Sequence, residues 1–229
     1  MLAANVVPGP TSPLRTPTLL FTASATYDIG GQKVGVVGID IRNKTMESSR
    51  PSYGTILTDE TNAAQAAINK LNASGVDKII LLSHIGFDFD VLLAAQLNYV
   101  DVIVGGDSHS LLGDSVKTKN ITTRVPDAGY PTELTNKQGK KVCIVTAWQY
   151  ANSVGRLNVR FDDNGDVTSC TGGPVFLIDA AANWNWKNGT TTVAVSDADK
   201  TTVAQSLDAD YYVQTVQNPE ALQWISDNK

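Results

Sequence analysis

The chain has 229 residues, 42% of them apolar and only 18% charged, which supplies one substantial core and argues against a disordered segment. Its 18 Lys and Arg stand against 23 Asp and Glu for a net charge of −5, and the basic residues are scattered. A nucleic-acid surface built on clustered cations is thereby excluded, and the longest apolar runs, such as Lys78–Leu82 and Val100–Val104, fall far short of the roughly 20 residues of a membrane-crossing helix.

In chain order, Met1–Val7 reads as a buried strand that begins without a charged leader. Pro8, Pro10, Pro13 and Pro17 then forbid helix and predict an extended loop. Leu19–Tyr27 and Lys33–Ile41 are β-branched and apolar, and Gly30-Gly31 between them predicts a hairpin; Arg42–Leu57 is polar and reads as loop. From Asp59 to Ser74 the residues Ala63, Ala64, Ala67, Ile68 and Leu71 recur at helical spacing, with Thr58-Asp59 to cap and Gly75 to stop. Val76–Leu82 is a nearly all-apolar strand, Asp88–Leu97 a second helix, and Val100–Val104 a second such strand. Strand, helix and strand with short joints form a βαβ unit, so an α/β fold with a mixed sheet follows. Further strands are expected at Lys141–Trp148, Ser153–Asp162 and Val167–Cys170, the last two joined by a turn at Asp163–Asp166. Cys143 and Cys170 lie on neighbouring strands, which leaves a single disulfide open and excludes a disulfide-built fold. The tail carries two weak helical patterns, Asp197–Leu207 and Pro219–Asp227.

The chain has two histidines, and each follows one of the two buried strands. The carboxyl edge of an open α/β sheet is where ligands bind. His84 lies in Leu82-Ser83-His84-Ile85-Gly86, and His109 in Gly105-Gly106-Asp107-Ser108-His109-Ser110. Two imidazoles and the Asp107 carboxylate are donors suited to Zn, Mn, Fe or Co. The bland reading is that the histidines cap the sheet and Gly-Gly-Asp-Ser is an ordinary turn. Asp88, Asp40 and Ser108 are weaker candidates to support the donors or touch substrate; Asp88 reads better as a helix cap and Asp40 as a turn residue. Trp184, Trp186, Tyr211 and Tyr212 read as core or interface rather than a stacking platform, since no basic groove accompanies them. No Ser-His-Asp set is available, because neither Ser83 nor Ser108 has a spare base.

These residues resemble the calcineurin-like metallophosphoesterases, in particular the 5′-nucleotidase and 2′,3′-cyclic-phosphodiesterase branch. Leu82–Gly86 is similar to the Ser/Thr-His-x-Gly motif, and Gly105–His109 to Gly-Gly-His-Ser-His with Asp107 in place of the first histidine. Leu2–Val6, Lys33–Asp40, Thr58–Leu71 and Trp148–Leu157 resemble further strands and the connecting helix of the same domain. The resemblance implies a sandwich of mixed β-sheets with flanking helices, and a two-metal centre with ions about 3.5 Å apart acting on phosphate esters. It carries His84, Asp107 and His109 over as metal ligands.

The family's opening motifs, which supply a bridging carboxylate and the catalytic Asn-His segment, have no counterpart in these residues. The expectation is therefore the carboxyl half of a catalytic domain over residues 1–180 and a helical linker over 181–229, with one well-held ion at most and weak turnover of a phosphomonoester or activated ester. A non-catalytic folded module with an idle site is the competing reading. Self-association is expected to cover the apolar edges that such a half-domain leaves open. Relatives of this type are periplasmic or extracellular, and nothing in these residues directs export.

Overall fold

The computed structural model describes residues 1–15, 21–118, 122, 124–179, 185–188, 191–194, 196, 198, 212–215 and 219–227. In place of a long buried strand at the start, only Val6–Val7 (β1) is regular, pairing antiparallel with Ile56–Leu57 (β4). The residues just before it still dock on the main sheet, through the Ala4 N–H donating to the Gly38 carbonyl at 2.6 Å. Ser24–Ile29 (β2) and Gln32–Asp40 (β3) form the expected hairpin, with Gly30 and Gly31 as the whole turn at φ 59° and 80°. Two successive positive φ values are what a tight hairpin turn requires and what paired glycines supply without a Cβ clash.

The segment 42–57 departs from its reading as loop. Arg42–Lys44 (α1) begins a helical turn that widens over Thr45–Ser49 and stops at Arg50, in the left-handed conformation at φ 45°. No apolar periodicity marks it, because it buries none of its residues. Glu60–Ala73 (α2) is the predicted amphipathic helix, capped by the Asp59 carboxylate, which accepts from the Asn62 N–H at 2.8 Å. Lys78–His84 (β5), Phe87–Ala94 (α3) and Val102–Gly105 (β6) complete the βαβ unit. Ser115–Thr118 (α4) follows, and then the unforeseen edge strand Thr132–Thr135 (β7), antiparallel to Lys141–Thr146 (β8).

The main sheet has the order β2-β3-β5-β6-β8-β7, its four inner strands parallel and its two edges antiparallel. One face is packed by α2 and α3, with Ala64, Ile68, Leu71, Leu93 and Leu97 against Val37, Ile79, Leu81, Ile103 and Ile144. Each of these side chains has 5% or less of its surface exposed, so the layer is dry and fixes the positions of the strand ends. Part of the opposite face is covered by a second sheet, in which Val167–Asp179 (β10) pairs antiparallel with Ser153–Phe161 (β9) and parallel with Tyr212–Thr215. The mixed α/β fold with stacked mixed sheets is as expected.

Cys143 on β8 and Cys170 on β10 form a disulfide at a Cα–Cα distance of 6.5 Å, stapling the two sheets amid Val167, Leu157, Val159 and Phe161. The predicted turn between β9 and β10 is held by the Asp162 carboxylate, which accepts from the N–H groups of Asn164 and Asp166 at 2.9 Å each. β10 runs on well past the predicted end at Cys170. The tail helix Pro219–Asp227 forms as read, whereas Asp197–Leu207, Trp184 and Tyr211 lie outside the described residues apart from the single position 198. The cross-sheet staple closes a separation of 27 residues, a constraint on the unfolded chain of ~3.5 kcal/mol. The double variant Cys143→Ser, Cys170→Ser is expected to melt roughly 10 °C below the native chain in a calorimetric scan; a melting point shared with the native chain would show that the staple contributes nothing.

Candidate functional site

Parallel register brings four strand ends to one edge. Asp40 at the end of β3 is aligned with His84 at the end of β5, and Gly105 at the end of β6 with Thr146 at the end of β8. Asp40 is therefore the last residue of a strand beside His84 and not a free turn residue. Its backbone is clamped by the fully buried Asn5, whose side-chain amide donates to the Asp40 carbonyl at 2.7 Å and whose side-chain oxygen accepts from the Asp40 N–H at 3.0 Å. The Asp40 carboxylate accepts from the Thr45 hydroxyl at 2.8 Å, which pins the helical turn at 42–49 over the same edge.

Of the three expected donors, two converge. His84 Nε2 lies 3.7 Å from Asp107 Oδ1, and that same carboxylate oxygen pairs with Lys44 Nζ, delivered by α1. Asp107 is mostly covered, with 14% of its side chain exposed, while His84 and Lys44 are open at 60% and 57%. His109 is exposed and stacks edge-on against the Tyr150 ring, centroids 4.9 Å apart. Among the described residues, no three His, Cys, Asp or Glu side chains are gathered so as to hold a metal ion. As arranged, the donor set does not fit a resident ion: it offers two donors, and the charge facing Asp107 is the Lys44 ammonium.

Ser108 has a definite task. Its hydroxyl oxygen accepts from the Phe87 N–H at 3.0 Å and lies 2.9 Å from the Ser110 hydroxyl, so it caps α3 from across the sheet edge. Asp88 is consequently not the cap; it sits exposed in the first turn, where a carboxylate only complements the helix dipole. The loops after β6 and β8 hold five non-glycine residues at positive φ, namely Asp107, His109, Trp148, Tyr150 and Ala151. Such a concentration of costly backbone conformations is a feature of built sites, where the surrounding fold must over-determine the geometry.

Sequence reasoning missed two residues here. Lys44 lay in a segment without periodicity and gave no signal. Asp90 did give one, since it falls in helical step with Leu93, Ala94 and Leu97, all buried, and an acidic residue on an apolar helix face is rare. Asp90 is fully buried just under the strand ends; neither carboxylate oxygen has a hydrogen-bond partner among the described residues, and the same holds for the neighbouring Ser83 hydroxyl. It packs so close to Gly105 that a Cβ there would overlap it. Burial pushes the Asp90 pKa up to about 7.

No family model matches the chain. A probable 5′-nucleotidase of Treponema pallidum is 40% identical over 179 residues, which cover 78% of this chain and 29% of that protein. The chain is a relative of the 5′-nucleotidases. Two solved structures agree with that kinship. The NAD nucleotidase of Haemophilus influenzae superposes with a TM-score of 0.84 at 28% identity, over 99% of this chain and 39% of the other. The 5′-nucleotidase precursor of Thermus thermophilus gives 0.69 at 32% identity, over 90% and 36%. The chain thus spans well under half the length of the proteins it matches, and the resemblance to the 5′-nucleotidase branch is borne out.

The buried Asp90 sets a pH dependence whose sign is fixed. Below about pH 4 its carboxyl is protonated in folded and unfolded chains alike. Between pH 4 and 7 only the unfolded chain ionises, so stability falls as pH rises through that window and levels off above it. Asp101, buried at the opposite end of β6, has its pKa raised to about 7 by burial and adds a fall of the same sign, although the Ile79 N–H it accepts opposes the shift. Asp90→Asn is expected to be more stable than the native chain at pH 8, by up to ~4 kcal/mol, and to match it near pH 4. Urea melts at the two pH values check this; an equal or lower midpoint for the variant at pH 8 would show the carboxylate to be stabilising.

Proposed function

We propose that this chain carries part of a phosphoesterase site of the 5′-nucleotidase type, in which His84, Asp107 and His109 would serve as donors to one divalent cation, Zn, Mn, Fe or Co, only after His109 leaves Tyr150 and Lys44 leaves Asp107. Its substrate is a phosphomonoester such as a nucleotide, or an activated ester, turned over slowly because the donors in this chain are few. The observation that carries the reading is the approach of His84 and Asp107 at the carboxyl edge of the sheet, on the two motifs that resemble the family's. The positive-φ residues around both loops support it. The Cys143–Cys170 bridge supports an oxidising compartment, as in a periplasmic or extracellular protein. A non-catalytic module with an idle site is the second reading, favoured by the Lys44 ammonium facing Asp107.

Hydrolysis of p-nitrophenyl phosphate and of a 5′-nucleotide separates the two. The first reading expects slow turnover in Mn²⁺ or Zn²⁺ that a chelator abolishes and His84→Ala lowers at least about tenfold. A rate indifferent to chelator and to His84→Ala overturns it in favour of the idle module.

Self-association belongs to the same proposal. Leu82 and Val104 are register partners on two central parallel strands, yet each has more than a third of its surface open, at 41% and 37%. Inner parallel strands are ordinarily covered on both faces. A second copy of the chain covering this face is expected to give a dimer or larger species by multi-angle light scattering at micromolar concentration, and Leu82→Lys is expected to shift it toward monomer. A clean monomer for the native chain counts against it.

A further inference from the structure

The loop that carries Asp107 and His109 is joined to the start of α3 from both sides. From the loop, the Ser108 hydroxyl oxygen accepts from the Phe87 N–H at 3.0 Å, and a Cβ on Gly86, itself at φ 95°, would stand 3.5 Å from the Ser108 Cβ. From the helix, the Asp90 carboxyl fills the space left by the missing side chain of Gly105, where a Cβ would come 2.2 Å from Asp90 Oδ2. The far end of the loop is tied to β8 by the Thr146 hydroxyl, which donates to the Ser110 carbonyl at 2.6 Å. Asp90 is the helix's half of this joint, and it is the half that can change charge.

Its surroundings leave such a charge unsupported. The side chain is fully buried, and neither oxygen has a hydrogen-bond partner among the described residues. It lies beside Ser83 of β5, Gly105 of β6 and the Thr146 methyl of β8, none of them charged. The titratable groups of the elements packed here are Lys78 and His84 on β5, Asp88 on α3, Asp101 and Asp107 at the two ends of β6, Glu133 on β7 and Lys141 on β8; burial, not any of these charges, governs the ionisation of Asp90. An anion with no partner in a dry pocket is costly, and reaching water relieves the cost. The route that breaks least is outward through the first turn of α3, where one hydrogen bond to Ser108 is lost, whereas Leu93, Ala94 and Leu97, each 2% exposed or less, hold the rest of the segment to the core. Opening one helix end costs less than unfolding the domain.

We propose that Asp90 is a pH-operated latch: its ionisation drives the carboxylate out from beneath Gly105, the first turn of α3 lifts with it and releases Ser108, and the loop bearing Asp107 and His109 comes free while the rest of the sheet stays folded. The latch needs no bound ion. It works near neutrality, because burial raises the Asp90 pKa to about 7.

Amide hydrogen exchange of the full chain at pH 5.5 and pH 8.5, each rate corrected for the intrinsic rate at that pH, tests it. The Phe87, Asp90 and Ser108 amides are all hydrogen-bonded in the closed form. Their protection is expected to fall about thirtyfold over this interval, the factor by which ionisation favours opening when the carboxyl titrates near 7 closed and at its ordinary value open. The Ile68 and Leu71 amides of α2 are expected to stay better protected at pH 8.5. Asp90→Asn keeps the shape without the charge and is expected to hold the three protections constant to within about threefold; Asp90→Ala stands in if circular dichroism shows the asparagine variant unfolded. No fall in the native chain, or the same fall in the neutral variant, overturns the latch. A fall that α2 shares down to the same protection marks global unfolding in place of one lifted turn, and overturns it as well.

Discussion

Everything at the candidate site hangs on the parallel register of β3, β5, β6 and β8. Because these strands run the same way, Asp40, His84, Gly105 and Thr146 finish at one edge, and because α2 and α3 seal one face with fully buried Ile and Leu side chains, those ends have little freedom to shift. A slip of one residue in any strand would turn its edge residue to the opposite face. The dry layer beneath therefore positions the exposed side chain of His84 through a backbone fixed by buried packing.

Charge is handled in two different ways within a short distance. Asp107 is paired, its oxygen met by Lys44 and approached by His84. Asp90, buried under the strand ends, has no hydrogen-bond partner among the described residues, and burial raises its pKa to about 7. The first arrangement pairs a carboxylate at the surface; the second buries a carboxyl whose ionisation is pushed toward neutral pH. Neither follows from composition, since both residues are aspartates in the same acidic chain, and the difference arises wholly from solvent access and from what the neighbouring loop delivers.

Much of this architecture was legible in the residues. The helix at 60–73 and the strands β5, β6 and β8 declare themselves by apolar spacing, since burial selects the side chains directly. The paired glycines at 30 and 31 and the Asp162–Asp166 turn declare themselves by backbone chemistry. What was illegible buries little or pairs at an edge. The turn at 42–49 has no apolar stripe, β7 is a short, half-exposed edge strand, and the capping of α3 comes from Ser108, twenty-one residues away, which no local signature records. The motifs located His84 and Asp107 correctly at one edge, but the partner facing them from α1 arises from tertiary placement alone.

Gly105 has a consequence for how such a sequence can vary. Its missing side chain is the space into which the Asp90 carboxylate fits, so positions 90 and 105 behave as one unit of inheritance. A larger residue at 105 would overlap the carboxylate unless residue 90 were shorter. Drift at either place is thus gated by the other, although fifteen positions separate them along the polymer.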